Sequence, residues 1–217
     1  MIRHVKDDIY QIGSCVIEET GAEAVHIYVM LNDGHPILID CGSHLHRGNL
    51  MAELDTVLNG AIPQWIFLTH TELPHSGNLQ QVAEKWPDIQ VKVSNVLLSY
   101  IEIAPVIPLE QITMAIPGSE WVIGQRRLIS VDALLKDQPG SQWIYDPATK
   151  TMFTGDGFGY YHPVEQCGHF SDEIEGGIQT EQFQHYHHDA FRFLRWVRAD
   201  KFNPDVDRVF RDYPVET

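Results

Sequence analysis

Three things are scarce in this chain of 217 residues: long apolar runs, cysteine and positive charge. No run approaches the roughly 20 apolar residues that cross a bilayer, so no membrane-spanning helix is expected. Met1-Ile2-Arg3-His4 leads straight into polar sequence, without the apolar core of a secretion signal, and the chain reads as cytoplasmic. Cys15, Cys41 and Cys167 are an odd number, widely spaced, with no CxxC. They are expected to be reduced thiols, not a disulfide framework. Fifteen basic against 30 acidic residues give a net charge of −15. That field repels nucleic acid and anionic membrane surfaces, so neither is an expected partner. The acidity itself needs no function beyond solubility. Histidine, in contrast, is plentiful at 12 residues, and its placement matters more than its number.

The length suits one domain, residues 1–217, with a sizeable core. Residues 8–13 alternate and end in glycine, as a first strand does. Apolar runs at 24–31 and 36–40 flank Asn32-Asp33-Gly34, a hairpin signal, and His26 inside the first run reads as a buried, hydrogen-bonded histidine. Residues 49–58 carry helical spacing, and 65–68 form a short apolar strand. A helix is expected from a Ser76 cap to Trp86, stopped by Pro87, then a strand at 90–93 and a helix at 95–103. Hairpin strands are expected at 111–116, 121–123, 126–131, 142–145 and 151–154. Residues 179–200 read as one long helix with Phe183, Tyr186, Ala190, Leu194 and Val197 on a single face, followed by a polar tail in which Val206, Val209 and Phe210 dock. His185, His187 and His188 on that helix read as an exposed polar face. Two groups of strands, each accompanied by helices, predict an α+β protein of two packed sheets covered by helices.

The chemistry concentrates after the strand at 65–68, where His70, Glu72 and His75 enter a loop. The histidines are five apart and Pro74 intervenes, so this is not the HExxH helix of a zinc protease. An irregular loop can still bring imidazole nitrogen and carboxylate oxygen around one ion. Asp137 and Asp156 lie at comparable strand ends, the latter in Thr154-Gly155-Asp156-Gly157-Phe158-Gly159. Such an oxygen-rich set favours iron or manganese over a soft zinc site. His162 and His169 follow in the next loop and are candidates for a further ligand, with a structural role equally open. Phe158, Tyr160 and Tyr161 are placed either to wall a small-ligand pocket or simply to pack, and Cys167 is reactive only beside a positive charge.

These residues resemble the metallo-β-lactamase fold in its flavodiiron-type, di-iron oxygen-binding branch. That branch carries HxExDH after a strand, then a His followed after eighteen residues by a bridging Asp, then a last His near the C-terminus. His70, Glu72 and His75 are in register, with Pro74 in place of the motif's Asp. Asp137 stands at the second histidine, in a similar Pro-Gly-Ser context, and Asp156 follows it with eighteen intervening residues. The resemblance runs from the first hairpin to the long helix and implies an αββα sandwich of two mixed sheets, shortened at the C-terminus before the last His and without room for a flavodoxin domain.

In that family the residues matching His70, Glu72, Asp137 and Asp156 hold one iron, and those matching Pro74, His75, Asp156 and the last His hold the other. The first set keeps four donors here; the second keeps two. The resemblance therefore implies a non-haem iron protein that binds or reduces a small oxidant such as dioxygen, with one or two ions, manganese or zinc being alternatives. His75 is then a fifth ligand or a donor orienting a carboxylate. A homodimer and a separate electron-donor protein are compatible with the same resemblance. Two other readings stand beside it: a metal-dependent hydrolase of an ester or thioester, and a sensor or interaction module that has lost the chemistry.

Overall fold

The computed structural model describes residues 1–19, 21–98 and 107–217. Strands β1 (Arg3–Lys6), β2 (Ile9–Glu18), β3 (Gly21–Met30) and β4 (Ile37–Ile39) form an antiparallel meander. The expected first strand is thus the start of the longer β2, and the hairpin around Asn32-Asp33-Gly34 is present as β3 and β4. Helix α1 (Arg47–Leu58) then crosses over, and β5 (Trp65–Phe67), β6 (Gln90–Val93) and β7 (Ile112–Met114) add to β4 in parallel. The second sheet is an antiparallel meander of β8 (Glu120–Ile123), β9 (Arg126–Asp132), β10 (Gln142–Asp146) and β11 (Thr151–Phe153).

Strand alternation builds three apolar layers. Leu38 and Ile66 point to the helix side of the first sheet, with Leu50 and Leu54 of α1. Ile37, Ile39 and Phe67 point the other way and meet Trp121, Leu128, Ile144 and Phe153 between the sheets. On β10, Trp143 and Tyr145 face outward onto Tyr186, Phe191 and Val209. The order helix, sheet, sheet, helix is the expected αββα sandwich.

Two helices differ from the sequence reading, and a third is described only in part. The segment after His75 is split into α2 (Leu73–Ser76) and α3 (Leu79–Lys85), with Asn78 rather than Ser76 before the longer piece. Ser76 Oγ donates instead to Thr71 O and Glu72 O, at 2.8 and 3.1 Å. Asn78 is fully buried, and its amide donates to Cys41 O and Ser43 O at 2.9 and 2.8 Å. The helix expected at 95–103 is described as α4 (Asn95–Leu98); the rest of that reading lies outside the described residues.

The long C-terminal helix is two helices, α5 (Thr180–Ala190) and α6 (Ala199–Asp212), joined by a 3-10 turn at Arg192–Trp196. A continuous helix would carry Phe191, five residues on, about 140° from Tyr186. Breaking the helix at Phe191, whose φ and ψ are −116° and 63°, buries both rings. The expected polar tail is therefore helical; Val209 is buried and Phe210 contacts Phe158.

Candidate metal centre

β4, β5 and β6 run parallel, so their carboxyl ends lie along one edge. Ligands collect at such edges because the chain leaves the sheet there with side chains free to converge. Asp40 follows β4, and Thr69, His70, Glu72 and His75 follow β5. The β9–β10 connection brings Asp137, and Asp156 follows β11. Pro74 sits in the first turn of α2, where its missing N–H costs no helical bond.

His70, Glu72, Asp137 and Asp156 each bring a donor atom within 4.8 Å of the others, and His70, His75 and Asp156 form an overlapping group. The orientation of His70 is fixed from behind. Asp40 Oδ2 accepts from Thr69 Oγ1 at 2.7 Å, and Thr69 Oγ1 lies 3.2 Å from His70 Nδ1. Because the hydroxyl proton is committed to Asp40, Nδ1 carries the imidazole proton and donates to Thr69. Nε2 then presents a lone pair at 3.2 Å from Asp137 Oδ2 and 3.4 Å from Asp156 Oδ2. Both His70 Nε2 and Asp137 Oδ2 are buried without a hydrogen-bond partner. A lone pair facing carboxylate oxygens in a buried site is repulsive unless a cation lies among them, so these residues fit a metal ion.

The charges agree. Burial raises the Glu72 carboxyl above its ordinary value, and the neighbouring Asp137 and Asp156 raise it further. Burial opposes ionisation of Asp156 as well, but the His75 ring bonded to its Oδ1 holds its pKa far below the usual carboxylate range. His75 is engaged at both nitrogens, Nδ1 to Asp40 Oδ2 and Nε2 to Asp156 Oδ1, each at 2.8 Å. Burial disfavours its charge, yet these two carboxylates raise its pKa well above that of ordinary histidine.

Asp40, Thr69 and Gln138 were not singled out by the sequence. Gln138 Oε1 accepts from Thr71 Oγ1 at 2.9 Å and ties the β9–β10 connection to the loop after β5. The one local signal for Asp40 was a carboxylate at the end of an apolar strand.

The sequence candidates beyond this group go elsewhere. His169 is exposed. His162 is buried with Nε2 3.7 Å from Cys15 Sγ, away from the carboxylates. Cys15 and Cys167 form a disulfide, contrary to the expectation of reduced thiols. Their 152-residue separation hides the pairing in sequence; the bridge between Ala22 and His162 lays the later segment against the β2–β3 hairpin. Cys41 is free and buried. On α5, His185 and His188 are exposed, but His187 is buried and its Nδ1 donates to Phe183 O, 2.8 Å away. Phe158, Tyr160 and Tyr186 line a cavity of about 230 Å³ that also reaches Asp156, His26 and His162; Tyr161 faces a different groove.

His26, half-buried on that cavity, has its pKa lowered to about 4 by burial and then by the nearby His162 and His46. Other titratable groups on the same cavity wall are Glu23, Asp156 and His169. Below the usual histidine value near 6.5 the unfolded chain takes a proton at His26 that the folded chain refuses. The stability this position contributes is complete above that value and is lost as pH falls to about 4. Urea denaturation at pH 7 and pH 5 is expected to show a loss of about 2 kcal/mol that is absent in His26→Gln. Equal losses in the two proteins would contradict the assignment.

A family model described as ODP family beta lactamase matches residues 24–198. The chain belongs to that family. Among curated relatives of this ODP family member, an anaerobic nitric oxide reductase flavorubredoxin of Vibrio vulnificus is 23% identical, covering 99% of this chain and 46% of the relative. A diflavin flavoprotein of Synechocystis is 26% identical over 69% of this chain and 26% of its own length. The chain thus spans less than half the length of these relatives. Among solved structures, a flavoprotein of Thermotoga maritima superposes with a TM-score of 0.82 at 17% identity, covering all of this chain and 55% of that one. Rubredoxin oxygen:oxidoreductase of Desulfovibrio gigas gives 0.75 at 17% identity, covering 86% and 48%. The metallo-β-lactamase-like sandwich of flavodiiron proteins is therefore the fold of this ODP family member. No helix among its described residues is long and apolar enough to cross a membrane.

Proposed function

We propose that this ODP family member is a non-haem iron protein that binds and reduces a small oxidant such as dioxygen, with a single ion per chain. The observation that carries the reading is the unpartnered pair of His70 Nε2 and Asp137 Oδ2, buried 3.2 Å apart beside Glu72 and Asp156. One imidazole and three carboxylates form a hard, negative donor set that suits iron or manganese better than zinc. Ferrous iron bound there would supply reducing equivalents to the oxidant. His70, Glu72, Asp137 and Asp156 would be its ligands, while His75, bonded at both nitrogens, orients Asp156. Pro74 offers no side-chain donor, which favours one ion over two. The cavity reaching Asp156 would admit the oxidant, with Tyr160 and Phe158 as walls. The relatives' names, a nitric oxide reductase flavorubredoxin and a rubredoxin oxygen:oxidoreductase, support this class of reaction and an external electron-donor protein, and a homodimer is proposed on family likeness alone.

Anaerobic purification followed by metal analysis tests the reading. One iron per chain is expected after reconstitution, together with oxygen uptake when a chemical reductant is supplied. His70→Ala is expected to weaken iron binding about 100-fold. Absence of iron and manganese, with no uptake of either on reconstitution, would overturn it. Retention of zinc with ester hydrolysis dependent on His70 would replace it with the hydrolase reading.

A further inference from the structure

The carboxylate-rich group is not the sole set of metal-ligating atoms brought together. Cys15, His162 and Cys167 place their sulfur and nitrogen donors within 4.8 Å of one another. They come from three separate pieces of chain: β2, the residue that bridges Ala22, and the end of the 3-10 turn Val164–Gln166. Backbone hydrogen bonds in both directions, Ala22 N to His162 O at 2.8 Å and His162 N to Ala22 O at 3.0 Å, hold the imidazole's base in place.

The ring is also oriented. His162 Nδ1 lies 2.8 Å from Pro163 O, a carbonyl that can only accept, so Nδ1 carries the proton. Nε2 is left with its lone pair, 3.7 Å from Cys15 Sγ. An imidazole with one nitrogen bonded to a backbone carbonyl and the other 3.7 Å from one sulfur and within 4.8 Å of a second is the arrangement of a metal-ligating histidine. Two thiolates and one imidazole are a soft donor set, opposite in character to the three carboxylates around His70. His162 is buried, whereas Cys15 and Cys167 are half-buried and open to a small reagent.

We propose that Cys15, His162 and Cys167 form a redox-gated site for a soft divalent cation such as zinc, closed as a disulfide and opened by a dithiol. Opening is a two-electron exchange. The S–S bond of Cys15 and Cys167 breaks, an external dithiol gives up two electrons and two protons, and it leaves as its own disulfide. Zinc then displaces both thiol protons, bonding the two sulfurs and His162 Nε2, with water in the remaining tetrahedral position. In reverse, loss of the cation returns the thiols, and an external disulfide re-forms the cross-link while being reduced to thiols. The segment that the cross-link pins to β2 continues from Asp156 through Phe158 and Tyr160. Both His162 and Asp156 line the same cavity, so the state of this pair sets how tightly one wall of that cavity is held.

Cobalt(II), a spectroscopic substitute for zinc, distinguishes the two sites because only the cysteine site can give thiolate-to-cobalt charge-transfer absorption. The full chain is reduced with dithiothreitol, desalted anaerobically and titrated with cobalt. One equivalent is expected to produce the thiolate band, and zinc to abolish it. Protein re-oxidised with oxidised glutathione should show no band, a comparison that needs no substitution. Cys167→Ser should remove the band, Cys41→Ala and His70→Ala should keep it, and His162→Gln should weaken cobalt binding about tenfold. Reduced protein with free Cys15 and Cys167 but no band would overturn the proposal. So would a band that survives Cys167→Ser and vanishes in Cys41→Ala.

Discussion

Asp40→Ala is expected to destabilise the protein by about 3–5 kcal/mol, read as a lower urea midpoint for the metal-free chain. Asp40 is buried, and its carboxylate accepts three hydrogen bonds. Thr69 N donates to Oδ1 at 2.8 Å, while Thr69 Oγ1 and His75 Nδ1 donate to Oδ2 at 2.7 and 2.8 Å. Alanine leaves all three donors in a dry site and strips one of the two anions from a histidine whose charge they sustain. Asp40→Asn is expected to fall between wild type and alanine. An amide offers one carbonyl oxygen and one NH2, so whichever way it turns at least one of the three donors faces a donor. The same substitutions free the Thr69 hydroxyl, and with it the proton position on His70, so iron binding should weaken by about 10- to 100-fold. A loss of stability below about 1 kcal/mol for Asp40→Ala would show that the network is not under strain from its removal.

Asp146→Ala is expected to cost a similar amount, about 3–5 kcal/mol, for a different reason. Asp146 has no exposure to solvent at the end of β10. Arg126 donates to its Oδ2 through Nε at 3.1 Å and Nη2 at 2.7 Å, and Thr149 Oγ1 donates to the same oxygen at 2.6 Å. Ala148 N donates to Oδ1 at 3.1 Å and closes the turn before β11. Removing the carboxylate leaves the Arg126 guanidinium, itself 9% exposed along its side chain, with Asp8 alone. The double variant Arg126→Met, Asp146→Leu should recover most of the loss, because it removes the buried charge as well as its partner. Thermal or urea denaturation of Arg126→Met, Asp146→Leu and the double variant forms the cycle. An additive double variant would show that the charge is not the source of the cost.

Much of the architecture was legible because it is local. Ile37, Leu38 and Ile39, or Trp65, Ile66 and Phe67, are apolar at every position, and such short runs suit strands covered on both faces. They are indeed the parallel centre of the first sheet. Asn32-Asp33-Gly34 marked the turn between β3 and β4 because residues adopting positive φ are chemically distinctive; Asp33 and Gly34 sit at φ 49° and 86°. The helix readings erred where tertiary burial overrode period. Phe191 is drawn into the core at the cost of helix continuity, and α6 forms around Pro204 in a segment whose polarity and proline argued for a tail.

His70, Glu72, His75, Asp137 and Asp156 were named from the sequence alone, by residue type, spacing and family resemblance. Those signals lie within short stretches, where spacing records which atoms leave a strand end together. The folded chain decided their relations. It turned the lone pair of His70 toward Asp137 through Thr69 and Asp40, and gave His75 two carboxylate partners. It also took His162 away to Cys15 and Cys167, joining cysteines 152 residues apart. Sequence period reports which face a residue occupies. Which distant residues meet on that face depends on strand order and register, and those are fixed only when the two sheets pack.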